Sequence, residues 1–151
     1  MAKDSFPKLN VKSPDGIKPT GRPYKVMVIE SKDFQRKQIA QILESESYEI
    51  VATAANGKEA LEKLDKIKGG VDLITTELDM PILDGYAMMF RLKERKNLPL
   101  IVFINEKTTK GVMEDLLSMG IADYILKPIN RKTLLDRIKR VVLRARASNK
   151  E

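Results

Sequence analysis

The sequence predicts a doubly wound α/β domain, in which helices cover both faces of a five-stranded parallel sheet. Two observations support this prediction. Short apolar runs alternate five times with segments whose apolar residues recur at helical spacing. The chain has 151 residues, which is long enough for one compact domain with a buried core.

The five strands are predicted from short runs rich in apolar residues, and the first of them is a continuous apolar run of the kind buried on both faces of a parallel sheet. These runs lie at residues 25–29, 48–52, 71–75, 98–104 and 122–126. Asp33 is predicted to cap the first helix, and the second and third helices are predicted to begin at the Asn56–Gly57 turn and at Asp84–Gly85. The third helix is expected to end near residue 96, and the last two are expected to span about 110–119 and 130–147.

The composition excludes several classes of chemistry. The chain has neither cysteine nor histidine, so disulfides, thiolate metal sites, zinc hydrolysis and Ser-His-Asp triads are not expected. Its apolar runs are far shorter than the roughly 20 residues that span a bilayer. The amino terminus lacks the apolar stretch of a secretory signal, and we therefore expect a cytoplasmic protein without a membrane span.

Charge and composition divide the chain into three parts. The net charge is +7, and the basic excess lies at the two ends. Residues 1–23, which are rich in proline and glycine, are predicted to form a flexible basic leader. Residues 24–147 are predicted to form the domain, and residues 148–151 a carboxyl-terminal tail. Such basic ends could approach nucleic acid, an anionic membrane or an acidic protein, or could simply be solvated.

Four short motifs fall in order on the predicted elements, whereas dinucleotide-binding and P-loop glycine motifs are absent. Over about residues 24–145 the sequence resembles the CheY-like receiver domain of two-component response regulators. The motifs are Gly57-x-Glu59-Ala60-Leu61, Asp72-Leu73-Ile74, Met80-Pro81-x-x-Asp84-Gly85 and Gly120-x-x-Asp123-Tyr124-x-x-Lys127-Pro128. The resemblance implies a flavodoxin-like sheet in strand order 2-1-3-4-5.

The resemblance also implies a chemistry at the carboxyl edge of that sheet. In the family, two acidic residues after strand one and an aspartate after strand three hold Mg²⁺, and the aspartate accepts a phosphoryl group from a kinase or an acyl phosphate. A hydroxyl after strand four and a lysine after strand five contact the phosphoryl oxygens. An aromatic side chain on strand five then passes the change to the face of helix four, strand five and helix five.

This chain departs from the family pattern where that chemistry lies. The motif register puts Glu77 at the phosphoacceptor position, and the acidic pair becomes Glu30 and Ser31. The hydroxyl position becomes Ile104. The lysine with its proline, Lys127 and Pro128, and the aromatic Tyr124 match the family. We therefore predict a pseudo-receiver that has no catalytic residue or cofactor, is not an enzyme, and binds Mg²⁺ weakly at most.

Several alternatives remain open from the sequence. Glu77 either mimics a phosphorylated aspartate or pairs with Lys127 across the pocket. Asp79 either supplies a replacement carboxylate for a cation or is a solvated loop acid. Tyr124 is either a switch side chain or ordinary packing. The family usually has a cis bond at the position of Lys127–Pro128, and we expect one here.

A basic stripe on the last helix is the predicted partner face. Its residues are Arg137, Arg140 and Arg144, which share one side of a helix. The expected partners are signalling proteins, such as a histidine kinase or a motor or output protein, and the chain itself is expected to be a monomer or weak dimer. No aromatic residues interleave with the stripe, so sequence-specific nucleic-acid binding is not expected.

Three functions therefore compete. The first is a stand-alone receiver of a bacterial chemotaxis-type or other two-component phosphorelay pathway that works by protein contact, independently of phosphorylation. The second is a response regulator that still accepts phosphate weakly. The third is an adaptor whose basic ends attach it to DNA or membrane.

Overall fold

The computed structural model describes residues 13–149, which form a parallel sheet covered by helices. Strands and helices alternate along the chain. They are β1 (Lys25–Ile29), α1 (Asp33–Glu44), β2 (Glu49–Ala54), α2 (Gly57–Lys66), β3 (Leu73–Thr76), α3 (Gly85–Leu92), β4 (Leu100–Asn105), α4 (Lys110–Ser118), β5 (Asp123–Leu126) and α5 (Arg131–Asn149). Within the described residues, no helix is both long and apolar enough to cross a membrane.

The sheet has the strand order β2-β1-β3-β4-β5, and all four pairings are parallel. The predicted fold class and strand order are therefore confirmed. Because β1, β3 and β4 are the inner strands, the connections that follow them meet at one edge. The chain order reverses beside β1, and in open α/β sheets such a reversal marks the ligand crevice.

Two apolar cores lie on opposite faces of the sheet. Alternate strand residues point to opposite faces, so Val28 and Val102 belong to one core and Met27 and Phe103 to the other. Helices α1 and α5 close the first core, and helices α2, α3 and α4 close the second. The continuous apolar runs of the sequence follow from this double burial.

Side-chain caps fix where several helices begin. Asn56 accepts a hydrogen bond from the amide of Glu59 at the start of α2, as its position in the sequence indicates. The proposed cap at Asp33 is wrong. Asp33 is the first residue of α1, and its carboxylate instead accepts from the guanidinium of Arg36 one turn later.

Two predicted boundaries are also wrong. Helix α3 ends at Leu92 rather than near residue 96, because the Lys93 amide closes the last turn on Met89 and the chain then enters a short loop. Helix α5 continues through Ser148 to Asn149, so residues 148–149 are helical rather than part of a tail. Residues 150–151 lie outside the described residues.

The segment 13–23 is folded onto the domain, and we call it the N-terminal strap. The Gly16 amide donates to the carbonyl of Glu46 (2.7 Å), and the strap is closed by an antiparallel bridge between Ile17 and Pro23. Two ion pairs fasten it, Asp15 with Lys139 (3.5 Å) and Lys18 with Asp72 (3.2 Å). The prediction of a flexible leader is wrong for residues 13–23 because backbone hydrogen bonds, rather than apolar burial, hold them. Residues 1–12 lie outside the described residues.

A substitution at Gly16 tests whether the strap stabilises the domain. A Cβ atom at this position would lie 2.3 Å from the Tyr48 amide nitrogen, so Gly16→Ala must displace the strap. We expect it to lower the free energy of unfolding by about 1–3 kcal/mol in a urea titration. Gly111→Ala is the control, because nothing lies within 4 Å of its added Cβ, and it is expected to stabilise α4 slightly. Equal stability of the Gly16 variant and the parent would contradict a packed strap.

Candidate functional site

A buried ion cluster lies at the carboxyl edge of the sheet. Glu30 directly follows β1, Glu77 directly follows β3, and Lys127 directly follows β5. The Lys127 Nζ atom lies 2.9 Å from Glu30 Oε1 and 3.2 Å from Glu77 Oε2. It also donates to Gln35 Oε1 on α1 at 2.6 Å. We call Glu30, Glu77 and Lys127 the carboxylate–lysine cluster.

The cluster is almost completely shielded from water. The side chains of Glu30, Glu77 and Lys127 are 1%, 4% and 5% exposed, respectively. An ammonium group has three N–H donors, and Glu30, Glu77 and Gln35 supply one acceptor each. Of the two alternatives for Glu77, the pair with Lys127 is present in the structure, and it is part of a larger network.

The remaining carboxylate oxygens are bonded by the β1–α1 connection. Glu77 Oε1 accepts from the Ser31 hydroxyl (2.6 Å) and the Ser31 amide (3.0 Å). Glu30 Oε2 accepts from the Lys32 amide (3.1 Å), and the Lys32 ammonium lies 3.4 Å from Glu77 Oε2. Each oxygen of the two carboxylates therefore has a donor inside the protein.

The surroundings of the two glutamates shift their pKa values in opposite directions. Burial opposes ionisation of Glu77, but the Ser31 hydroxyl and amide, together with Glu30 and Lys127, outweigh it and lower the pKa of Glu77 to about 2. Burial raises the pKa of Glu30 above its usual value, although Lys127 and the Lys32 amide act against the rise. Burial disfavours the charged form of Lys127, yet its bonds to both carboxylates raise its pKa. Glu77 is therefore held as a carboxylate next to an ammonium.

The Met80–Gly85 motif shapes the connection that carries Glu77. Asp84 caps α3 by accepting from the Ala87 amide (2.8 Å), which starts the helix right after the loop. Gly85 lies so close to the loop that a Cβ atom there would lie 2.6 Å from the Glu77 carbonyl oxygen and 2.8 Å from the Phe103 ring. Glycine is therefore required for α3 to pack against the backbone of Glu77.

Comparison with known proteins agrees with this architecture. Residues 26–139 match the model of the response regulator receiver domain family. The chain belongs to the response regulator receiver family. The chemotaxis protein CheY of Treponema pallidum is 37% identical to this receiver over 142 residues, which cover 94% of this chain and 99% of that protein.

A solved structure gives the same result. A chain in the crystal structure of the CheX-CheY-BeF3-Mg complex from Borrelia burgdorferi superposes on this receiver with a TM-score of 0.82. It is 30% identical, and the match covers 87% of this chain and 98% of that chain. The protein-glutamate methylesterase of Bacillus subtilis is 36% identical over 107 residues, but the match covers only 29% of that protein. The similarity to the esterase is therefore limited to part of it.

The donor set of this receiver does not fit Mg²⁺. Within residues 13–149, no group of three or more side chains of the usual acidic, histidine or cysteine type is placed to hold a metal ion. Glu30 and Glu77 already share the Lys127 ammonium, and Ser31, which donates to Glu77, has a neutral hydroxyl where the family has a second carboxylate. Asp79, two residues after Glu77, is exposed and is not among the hydrogen-bond partners of the cluster.

The end of β4 carries an apolar residue and a polar residue side by side. Ile104 is buried in the apolar core that α1 and α5 close. The next residue, Asn105, is also buried, and its Oδ1 atom accepts from the Leu78 amide at 3.0 Å. Asn105 was not among the predicted site residues, although a polar residue at the end of a strand that reaches the site could have indicated a contact there. It fixes the chain just after Glu77.

Tyr124 is buried on β5 rather than turned into solvent. Its ring stacks on Phe103 with centroids 6.3 Å apart, and its hydroxyl donates to the Glu106 carbonyl oxygen at 3.1 Å.

The expected cis peptide bond at Lys127–Pro128 is present in the connection that follows β5.

The basic stripe on α5 is smaller than the sequence suggests. Arg137 donates twice to the carboxylate of Asp123, at 2.7 and 2.6 Å, and once to the Tyr124 carbonyl oxygen at 3.2 Å. Its long side chain reaches back to β5 and is 32% exposed, and its place in the partner face stays a prediction. Arg140 and Arg144 are exposed.

Removing the Lys127 charge tests how strongly the cluster supports the fold. Lys127→Met leaves two buried carboxylates without their shared counter-ion, and we expect the free energy of unfolding to fall by roughly 3–5 kcal/mol. Lys132→Met is the matched control, because Lys132 forms an exposed ion pair with Asp136 one turn along α5. Urea titrations of both variants provide the measurement. A Lys127 variant as stable as the control would mean that the cluster is not a structural support.

Proposed function

We propose that this receiver works in a chemotaxis-type two-component pathway through protein–protein contacts and that phosphorylation does not switch it. Membership of the receiver family supports the pathway class. The observation that carries the second part is the bonding of Glu77. Its buried carboxylate accepts four hydrogen bonds, from the amide and hydroxyl of Ser31 and from the ammonium groups of Lys32 and Lys127.

A carboxylate bound in this way is a poor nucleophile for phosphoryl transfer. The lone pairs that would attack phosphorus already accept hydrogen bonds, and an incoming phosphoryl group would have to displace them. Glutamate is also one methylene longer than aspartate, and a reacting atom that is misplaced by about 1 Å costs on the order of 10²-fold in rate. Ile104 adds no hydroxyl at the position where the family contacts the phosphoryl oxygens.

We further propose that the cluster replaces the divalent cation that the family uses. The ammonium groups of Lys127 and Lys32 lie within 3.4 Å of carboxylate oxygens and balance the two negative charges of Glu30 and Glu77. A cation with two charges would make this site positive and would have to displace Lys127. Mg²⁺ prefers several oxygen ligands, and here Ser31 offers a neutral hydroxyl that is already engaged.

A receiver that phosphorylation does not switch is expected to act by binding other proteins. The Borrelia burgdorferi structure is a complex of CheX with CheY, which supports a protein partner for this chain as well. The match to Treponema pallidum CheY covers nearly the whole of that protein, which supports a CheY-like role for this chain. We place the protein in the cytoplasm, where two-component pathways deliver their signals.

The exposed part of α5 is the partner face that we favour. Arg140 and Arg144 are exposed there together with Leu143, so charge and apolar surface lie side by side. Such a surface attracts an acidic partner at long range and buries apolar area on contact.

Treatment with acetyl phosphate in millimolar Mg²⁺ tests phosphorylation independence. We expect the intact mass of this receiver to stay unchanged and beryllofluoride to leave its amide NMR spectrum unchanged. The variant Ser31→Asp with Glu77→Asp and Ile104→Thr restores the family pattern and is the positive control, in which a phosphoryl adduct is expected. Glu77→Asp alone is expected to give much less adduct. A phosphoryl adduct on Glu77 of the unchanged protein would favour the weakly phosphorylated alternative.

Charge reversal tests the partner face. Arg140→Glu with Arg144→Glu is expected to abolish capture of the proteins that the parent retains from lysate of its native cell at low salt. Lys58→Glu with Lys66→Glu is the matched control, because it reverses two exposed charges on α2, away from α5. Mass spectrometry of the bound fractions compares the three baits. Equal loss with both double variants would show general charge attraction, and retention with the α5 variant would place the contact elsewhere.

A further inference from the structure

A cavity of about 930 Å³ lies at the amino edge of the sheet, the end opposite to the carboxylate–lysine cluster. The N-terminal strap forms one wall, with Lys18, Pro19 and Thr20. The connections that lead into β3 and β4 form two more walls, and the last turns of α5 close the cavity. This size is within the range of pockets that hold small organic ligands.

The lining combines apolar walls with a few charged groups. Its apolar surface includes four aliphatic side chains that are far apart in sequence, Leu64, Val71, Leu98 and Val142. Four cationic side chains and one carboxylate, Asp72, complete the lining. Pockets for small molecules have this pattern, in which apolar walls provide affinity and a few polar groups fix orientation.

Arg146 is the most distinctive group in the cavity. Its Nη2 atom donates to the Tyr24 hydroxyl at 2.6 Å. Its Nε atom is buried and, within residues 13–149, has no hydrogen-bond partner. A buried N–H group without an acceptor is costly, and a bound anionic oxygen would supply the missing acceptor.

The charge of the cavity is not balanced. Asp72 pairs with Lys18 (3.2 Å), and Asp65, just outside the lining, pairs with Arg95 (2.8 Å). Lys96 and Arg146 also line the cavity, and neither pairs with a carboxylate in the described part of the chain. Two positive charges therefore remain beside an apolar wall.

We propose that this cavity binds an organic anion of nucleotide size, with its phosphate at Arg146 and Lys96 and its ring against the apolar wall. The anion is inferred from the two unbalanced cations and the unsatisfied Nε atom, and the ring from the aliphatic lining. Lys18 and Arg146 lie outside residues 26–139, which match the receiver family. This site is therefore separate from the carboxylate–lysine cluster and does not rest on the function proposed for it.

Fluorescence titration with trinitrophenyl-AMP, an aromatic organic phosphate, tests this proposal on the full chain. We expect saturable binding at one site, displacement by AMP, and no displacement by adenosine, which lacks the phosphate. Arg146→Gln is expected to weaken binding about tenfold or more, because it removes a charge-assisted hydrogen bond. Lys132→Gln removes one positive charge from an exposed position at the other end of the same helix and is expected to leave affinity within about twofold.

The fold of each variant is checked by its thermal transition. If Arg146→Gln does not fold, Lys96→Gln provides the same comparison, because Lys96 is exposed and also lines the cavity. Absence of saturable binding would overturn the proposal. So would equal weakening by the cavity variant and by Lys132→Gln, which would indicate general charge attraction. Displacement by adenosine as strong as that by AMP would overturn the anionic part of the proposal.

Discussion

The carboxyl edge of this receiver depends on the ion pairs that the Lys127 ammonium forms with Glu30 and Glu77. Lys127 joins the connections after β1, β3 and β5, which are far apart in sequence and are brought together only by the strand order. Bringing two carboxylates out of water is unfavourable, and only a shared counter-ion with good hydrogen bonds offsets that cost. Glu30, Gln35 and Glu77 all accept from this one buried group, and the Ser31 hydroxyl bonds the other oxygen of Glu77.

This arrangement changes what the edge can do. In a pocket that is switched by a ligand, some groups must be left free to respond to it. Here the strong donors and acceptors are bonded to one another, and the Ser31 hydroxyl completes the set by turning towards Glu77. Tyr124 is correspondingly packed on Phe103 and bonded to the main chain at Glu106. This closed network supports the proposal that phosphorylation does not switch the receiver.

The fold and the centre of the site could be predicted because they depend on periodicity and on motif register. Continuous apolar runs predict inner strands, and the register from Met80 to Gly85 places Glu77 at the edge. The contacts of Gln35 and Asn105 could not be predicted, because they depend on how α1 packs and on which way one side chain turns. The strap was missed because prolines and glycines are typical of loops, whereas its attachment uses backbone hydrogen bonds that composition does not reveal. The contact of Arg137 with Asp123 could not be predicted, because helical spacing says nothing about how far a long side chain reaches.

The strap has a topological consequence. Because Asp15 contacts Lys139 and Tyr24 contacts Arg146, the first and last described segments of the chain meet beside the same edge of the sheet. Domains whose ends lie close together tolerate circular permutation. A chain with these two segments joined by a short linker, and new ends opened in an exposed loop, would keep every strand pairing of the sheet. In such a permuted chain the described elements would follow one another in a new order, while each strand kept the same neighbours in the sheet.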